Sequence, residues 1–270
     1  MIESTNKKGL SSFSLKIIAI IFMTIDHVNS YLTEFLHLPL WISLLGRFVA
    51  PLFVFFLVEG YFYTKNKMKY FSRLFVGGIL MTAINICHNL LTKSNFDNPV
   101  TGEFDVISIL QGQNIFMTLA FIFLFIWSID SIRSKKLSIP QIILHILGII
   151  LLIPIILMNE GGPYEIIVAL IFYFFRGNFK KIVISMTIFC SLLLGKTLFT
   201  YFTIPAVGTL YQLLTFSNEF MMISVLPFIY LYNGKRGGSG KKWEKNLFYY
   251  FYPIHLIIIY VLRDLFLGVF

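Results

Sequence analysis

The sequence predicts an all-α, polytopic transmembrane helical bundle, and three observations carry that fold class. Of the 270 residues, 57% are hydrophobic and 13% charged, with a mean hydropathy of +0.79, far too apolar for the chain to cover itself with a polar surface in water. Apolar runs of roughly 17 to 25 residues, the length a helix needs to cross about 30 Å of hydrocarbon, recur from end to end. The runs are continuous rather than alternating, which disfavours a β-barrel.

Charge gives the orientation. The chain has 22 Lys and Arg against 13 Asp and Glu, a formal net charge of +9. The positive residues cluster in alternate loops, the positive-inside pattern of a multi-pass protein, so the basic balance points to a lipid bilayer and not to nucleic acid. Cys87 and Cys190 sit in apolar runs without CxxC or Cys/His spacing. Neither a disulfide nor a metal site is expected, and both read as buried small hydrophobes.

In order, a tail over 1–13 carries Lys7 and Lys8 and is expected on the cytoplasmic side, ahead of a single membrane domain over 14–270. The first run, about 15 to 34, is broken by Asp26 and His27 and is followed by no small-residue cleavage site, so it reads as a span and not a signal peptide; Ser14 is its expected cap. The second, about 41 to 63, ends at Lys65, Lys67, Lys69 and Arg73; the third, about 70 to 91, opens into an acidic, Asn-rich loop over 93–110. The fourth, about 111 to 132, ends at Arg133, Lys135 and Lys136; the fifth, about 138 to 158, reaches the turn Glu160-Gly161-Gly162-Pro163. A short sixth, about 164 to 175, returns to Arg176, Lys180 and Lys181, and a seventh, about 182 to 201, goes out again. An eighth, about 219 to 233, leads to NGKRGGSGKKWEK, and a ninth, about 246 to 267, closes the chain. Residues 202–217, interrupted by Pro205 and Gly208, are expected to be interfacial or re-entrant, which gives about nine spans, or ten if that segment crosses.

Ionisable groups inside these spans cost about 2.5 to 3.5 kcal/mol each to insert, so each marks a candidate site. His27 lies roughly 18 Å into span one, Arg47 roughly 9 Å from the other end of span two, and His255 roughly 14 Å into span nine, all at a similar height. Adjacent helical residues point about 100° apart, so Asp26 and His27 cannot aim at one point. Asp26 is expected to meet Arg47 or another donor while His27 faces a cavity; the competing reading is a buried stabilising network. Toward the basic loops, Glu59, Tyr63, Lys65, Lys69 and Arg73 are expected to hold an anionic cofactor, although most such cations only fix topology. At the other end Asn85, Asn114 and Glu160, with His88, Gln111, Gln113, Glu165, Lys196, Asn218 and Glu219 nearby, form a candidate polar vestibule for substrate; His37 and His145 read as bland.

Several blocks together resemble a known family. LKIIAIIFMTIDH, LGRFVAPLFVFFLVEGYFYTKNKMKYFSRL, NIFMTL at Asn114 to Leu119, EGG at Glu160, YNGKRG at Tyr232 to Gly237 and the closing FYYFYPIHLIIIY are similar to the TraX family and span nearly the whole chain in family order. That family is named for a conjugation-associated membrane protein that acetylates the N-terminus of F-type pilin, and it looks related to a wider transmembrane acyltransferase group that includes the lysosomal heparan-glucosaminide N-acetyltransferase. The resemblance implies a multi-pass protein of a bacterial plasma membrane with acetyl-CoA as donor, bound from the cytoplasmic side. It also implies a protein or glycan acceptor, and importance for Asp26, His27, Arg47, Glu59 and His255.

On this basis His27 is expected to take a proton from an acceptor amine or hydroxyl, with Arg47 or His255 stabilising the oxyanion and Asp26 fixing a tautomer or holding Arg47. Lys65, Lys69, Arg73, Lys235 and Arg236 are expected to attract CoA phosphates. The covalent variant runs through an acetyl-histidine. Two other classes fit the same groups: a proton-coupled transporter, and a non-catalytic assembly factor for a surface organelle.

Overall fold

The computed structural model describes residues 9–92, 112–134, 136–204 and 208–269. Most of the tail expected over 1–13, the acidic loop with Gln111, Lys135 and Pro205 lie outside these residues. Among the described residues the regular structure is helical apart from one isolated bridge between Leu10 and Tyr232. In chain order the helices are α1 (Ser12–Leu36), a 3-10 turn (Leu40–Leu44), α2 (Val49–Tyr63), α3 (Lys67–Leu91), α4 (Ile115–Arg133) and α5 (Ile139–Leu157). They continue with α6 (Gly162–Phe174), α7 (Phe179–Thr203), α8 (Leu210–Phe216), a second 3-10 turn (Glu219–Ser224), α9 (Val225–Leu231) and α10 (Lys242–Phe266).

Six of these are long and apolar enough to cross a membrane: α1, α2 joined to its preceding 3-10 turn, α3, α4, α5 and α7. A seventh is added if α8 and the stretch Glu219–Leu231, bent by 58° at their junction, are one broken span. The chain is thus a multi-pass helical membrane protein. The nine expected spans also include α6, whose 13 residues rise only about 20 Å, and α10, which is 25 residues long but carries charged residues at both ends.

Helix starts follow the local chemistry. Ser11, not Ser14, caps α1: its hydroxyl accepts from the Ser14 backbone N–H at 3.2 Å. The correction is one turn, because Ser14 is already helical. Asn66 and Asn178 cap α3 and α7 by accepting from the N–H groups of Lys69 at 2.8 Å and Lys181 at 3.0 Å. These side chains satisfy donors that a helix start leaves orphaned. Cys87 is exposed while Cys190 is buried. The expectation of two buried thiols therefore fails at Cys87, which lies two residues beyond the buried Asn85 and so on the opposite face of α3.

The residues pack as two compact units, Met1–Glu59 with Ile167–Phe248 and Gly60–Ile166 with Tyr249–Phe270. In the first, Leu15, Ala19, Leu52, Val54, Val168, Met186, Val225 and Ile229 form the buried core, and the rings of Phe48 and Phe228 stack at 4.1 Å. The start of α1 is laced to the segment after α9: Leu10 N–H donates to the Leu231 carbonyl at 2.7 Å, Ser12 N–H to that of Lys235 at 2.9 Å, and Phe13 N–H to that of Arg236 at 2.9 Å. The first 3-10 turn is anchored where the Ser43 hydroxyl donates to the Thr215 carbonyl at 2.9 Å and the Asn218 amide to the Ser43 carbonyl at 3.3 Å.

In the second unit the core is built from Tyr61, Met81, Ile122, Phe123, Ile126, Ile156 and Leu256. Helices α3 and α4 approach closely at Gly78, where an added Cβ would come within 3.1 Å of the Met117 backbone. The turn into α6 requires both of its glycines: Gly161 has φ +67°, and a Cβ at Gly162 would overlap the Ile156 carbonyl.

Candidate functional site

In the first unit the polar centre forms between α1 and the turn that precedes α2. Asp26 lies 15 residues beyond the Ser11 cap, about 22 Å along α1. Arg47 lays one nitrogen, Nη2, on both Asp26 carboxylate oxygens at 2.6 Å each. Gly46 makes this approach possible, since a Cβ there would lie 2.6 Å from Asp26 Cβ and Cγ. Arg47 Nε is buried and has no hydrogen-bond partner among the described residues. Nη2 and Nε share one edge of the guanidinium, so a pairing through Nη2 alone leaves the dry Nε–H beside it as a donor suited to an incoming oxyanion. His27, next to Asp26 on α1, is itself buried.

Glu59, near the end of α2, is buried, and both its oxygens are engaged by Arg176: Nε to Oε1 at 2.8 Å and Nη2 to Oε2 at 3.2 Å. This carboxylate is therefore committed to a cation of its own unit, and the geometry does not aim it at an anionic cofactor. Lys16 lies 5.2 Å from the ring centroids of both Phe56 and Phe248. Lys235 and Arg236 expose their side chains while their carbonyls hold the start of α1. In the first turn of α10 the Glu244 carboxylate reaches back to this loop, accepting from the Ser239 hydroxyl at 2.6 Å and from the N–H groups of Ser239 at 2.7 Å and Gly240 at 2.9 Å. Those bonds, led by the hydroxyl, hold its pKa below the usual glutamate value.

In the second unit the three expected substrate residues do come together. Asn114 caps α4 and donates its amide to the Gly78 carbonyl and the Thr82 hydroxyl, both at 2.9 Å. The Glu160 carboxylate accepts from the Asn114 backbone N–H and, at 3.3 Å, from the Tyr252 hydroxyl. Asn85, packed against Gly112, donates to the Gln113 carbonyl at 3.2 Å and accepts from Tyr260 at 3.3 Å. An acidic group at a helix start complements the helix dipole, so much of this network orders the entry to α4. His255 belongs to this unit; its Nδ1 meets the Phe251 carbonyl at 2.9 Å. A carbonyl only accepts, so Nδ1 carries the hydrogen and Nε2 is the basic atom of the neutral ring. Such a ring accepts protons and cannot donate to an oxyanion while neutral, which favours Arg47 for that role.

Tyr63, Lys65, Lys69 and Arg73 are all exposed, and Lys69 and Arg73 share one face of α3. No group of three His, Cys, Asp or Glu among the described residues is placed to hold a metal ion.

Sequence reasoning treated Arg176 only as a loop charge. The usable signal was sign and depth, since Glu59 and Arg176 both end spans that run toward basic loops. It also passed over the cluster in which Lys67 meets the Tyr61 hydroxyl, which in turn donates to Asp130 at 2.7 Å, because Tyr61 and Asp130, 69 positions apart, show no motif.

A family model described as TraX protein matches residues 11–263. The chain is 30% identical over 262 residues to the probable fimbrial assembly protein FimC, serogroup H1, of Dichelobacter nodosus, covering 92% of this chain and 94% of that protein. No solved structure matches.

Proposed function

This chain belongs to the TraX family, and on that premise we propose that it is an acetyl-CoA-dependent acyltransferase of a bacterial plasma membrane. It acts on an amine or hydroxyl acceptor at or across the membrane, such as a pilin N-terminus or a glycan. The observation that supports this best is buried His27 beside the Asp26–Arg47 pair, whose guanidinium keeps one N–H unpaired.

When bound, acetyl-CoA supplies an activated acetyl thioester. Neutral His27 accepts the proton of the acceptor N–H or O–H as that atom forms its bond to the acetyl carbon, and the proton then goes to the departing CoA sulfur as the C–S bond breaks. Arg47 stabilises the charge that develops on the acetyl oxygen, and Asp26 fixes Arg47 in place for it. In this reading the chain makes about nine crossings with its N-terminus inside. Lys235 and Arg236, in the unit that holds His27, then meet the CoA phosphates from the cytoplasm as charge-assisted donors.

The name of the Dichelobacter relative favours a second reading, a non-catalytic assembly factor of a surface fibre. Purified protein in proteoliposomes with radiolabelled acetyl-CoA separates the two. Labelled acceptor and free CoA forming in equal amounts support the transferase; fibre assembly in cells without any CoA turnover in vitro supports the assembly factor.

A further inference from the structure

We propose that Lys16 anchors the diphosphate of the acyl donor, with Arg236 beside it, and so makes the site select a phosphate-bearing donor over a phosphate-free acyl thioester. The inference rests on the acyl-transfer reading and adds to it a binding residue and a donor specificity.

Every group involved belongs to the first unit. Lys16 lies in the second turn of α1 and is half-buried. Its ammonium stands 5.2 Å from the ring centroids of Phe56 and of Phe248. Aromatic faces attract a cation, but they do not accept from its three N–H groups as an oxygen does. Among the described residues Lys16 has no carboxylate and no hydrogen-bond partner. The next carboxylate along α2, Glu59, has both oxygens held by Arg176. The charged group that acts on Lys16 is Arg236, of like sign, whose side chain is exposed while its carbonyl is tied to the start of α1. Two cations brought together with no carboxylate between them repel, and in a partly apolar setting water screens them weakly. A phosphate-class anion bound by both removes that cost through charge-assisted hydrogen bonds.

The place of Lys16 along the helix pair gives the ligand its length and direction. α1 and the segment that runs into α2 lie side by side in opposite directions: Arg47 meets Asp26, Phe48 meets Phe22 with ring centroids 5.3 Å apart, and Phe56 meets Lys16. Lys16, Ile20, Met23 and His27 follow the helical repeat along one face of α1, and the last three of these are buried. The unpaired cation and His27 are thus roughly 16 Å apart along one face, with the Asp26–Arg47 pair at the His27 end. A ligand that reaches both ends carries its anionic group at one extremity and its reactive group at the other. Acetyl-CoA has that layout, a diphosphate and an acetyl thioester joined by the pantetheine arm. A phospholipid headgroup offers Lys16 the same phosphate chemistry but brings no thioester to His27. Lys16 is a binding residue and takes no part in bond making.

The test is equilibrium dialysis of radiolabelled CoA against the full-length protein in a neutral detergent. Lys16→Met should weaken CoA binding by about 10-fold or more, and Lys16→Arg, which keeps the charge, should retain most of it. Inorganic pyrophosphate should displace CoA from the native protein and lose potency against Lys16→Met, whereas pantetheine, which has no phosphate, should lose none. Lys16→Met should melt no lower than the native protein, because methionine still fills the space between the two rings and an uncompensated charge is gone. A native protein that binds CoA with unchanged affinity in Lys16→Met overturns the role of Lys16 and leaves the acyl-transfer reading standing. An equal loss for CoA and pantetheine with a lower melting temperature also overturns it and makes Lys16 a packing residue. If Lys16→Met retains CoA binding but loses retention of added radiolabelled phosphatidylglycerol, the phosphate read by Lys16 is a lipid headgroup and the donor assignment fails. A native protein that does not bind CoA at all removes the acetyl-CoA reading and this inference with it.

Discussion

Arg47 reaches both carboxylate oxygens of Asp26 through a single nitrogen, at 2.6 Å each, while its Nε stays buried without a hydrogen-bond partner among the described residues. A guanidinium normally meets a carboxylate with two parallel N–H bonds. Here Nη2 alone does the anchoring, which leaves the Nε–H on the same edge for a further acceptor.

Breaking this pair from one side leaves a charge stranded among apolar helices. Asp26→Asn and Arg47→Met should each destabilise the protein by up to about 3 to 5 kcal/mol, whereas Asp26→Leu with Arg47→Met should recover much of that loss. Thermal melting in detergent measures all three. A double variant no more stable than either single one contradicts the pairing as the source of the effect.

Gly46 is the steric gate of the same contact. Its missing Cβ would stand 2.6 Å from Asp26, so Gly46→Ala should push the carboxylate off Arg47 and reduce transfer about as much as Arg47→Met. Gly195 has nothing within 4 Å of an added Cβ, and in the middle of α7 its change to Ala should stabilise by about 0.5 to 1 kcal/mol. Initial rates and melting temperatures for the two alanine variants check this; equal behaviour would mean that the Gly46 contact does not govern the site.

Acid should loosen the loop before α10. The Glu244 pKa is depressed in the folded chain by its bonds to Ser239 and Gly240. Its contribution is therefore fully present above the ordinary glutamate value of about 4.3 and fades as pH falls through the lower folded value. Amide exchange at Ser239 and Gly240 should speed up in that acid window, and Glu244→Gln should exchange fast at every pH. Protection that does not change with pH contradicts the assignment.

The long helices were readable because apolar runs of span length have few alternatives in a bilayer, and the meeting of Asp26 with Arg47 followed from depth and helix angle. What sequence left unread depends on distant pairing. Glu59 looked like part of an anion site because its neighbours are basic, yet its partner is Arg176, 117 residues away. The gathering of Asn85, Asn114 and Glu160 was legible only as a shared end of the bundle; the bonds that join them run across helices. Ser14 and Cys87 failed for local reasons, a cap placed one turn late and a thiol on the far face of α3. Charge alternation, not length, marked the short sixth run as a span, and the helix there is 13 residues long.

The most direct measurement is acetyl transfer by His27→Ala in proteoliposomes, beside the native protein and a melting curve for each. Loss of a general base should lower turnover by about 10²- to 10⁴-fold with melting little changed. Native turnover in a folded His27→Ala protein would remove His27 from the chemistry and leave the Asp26–Arg47 pair as a structural contact.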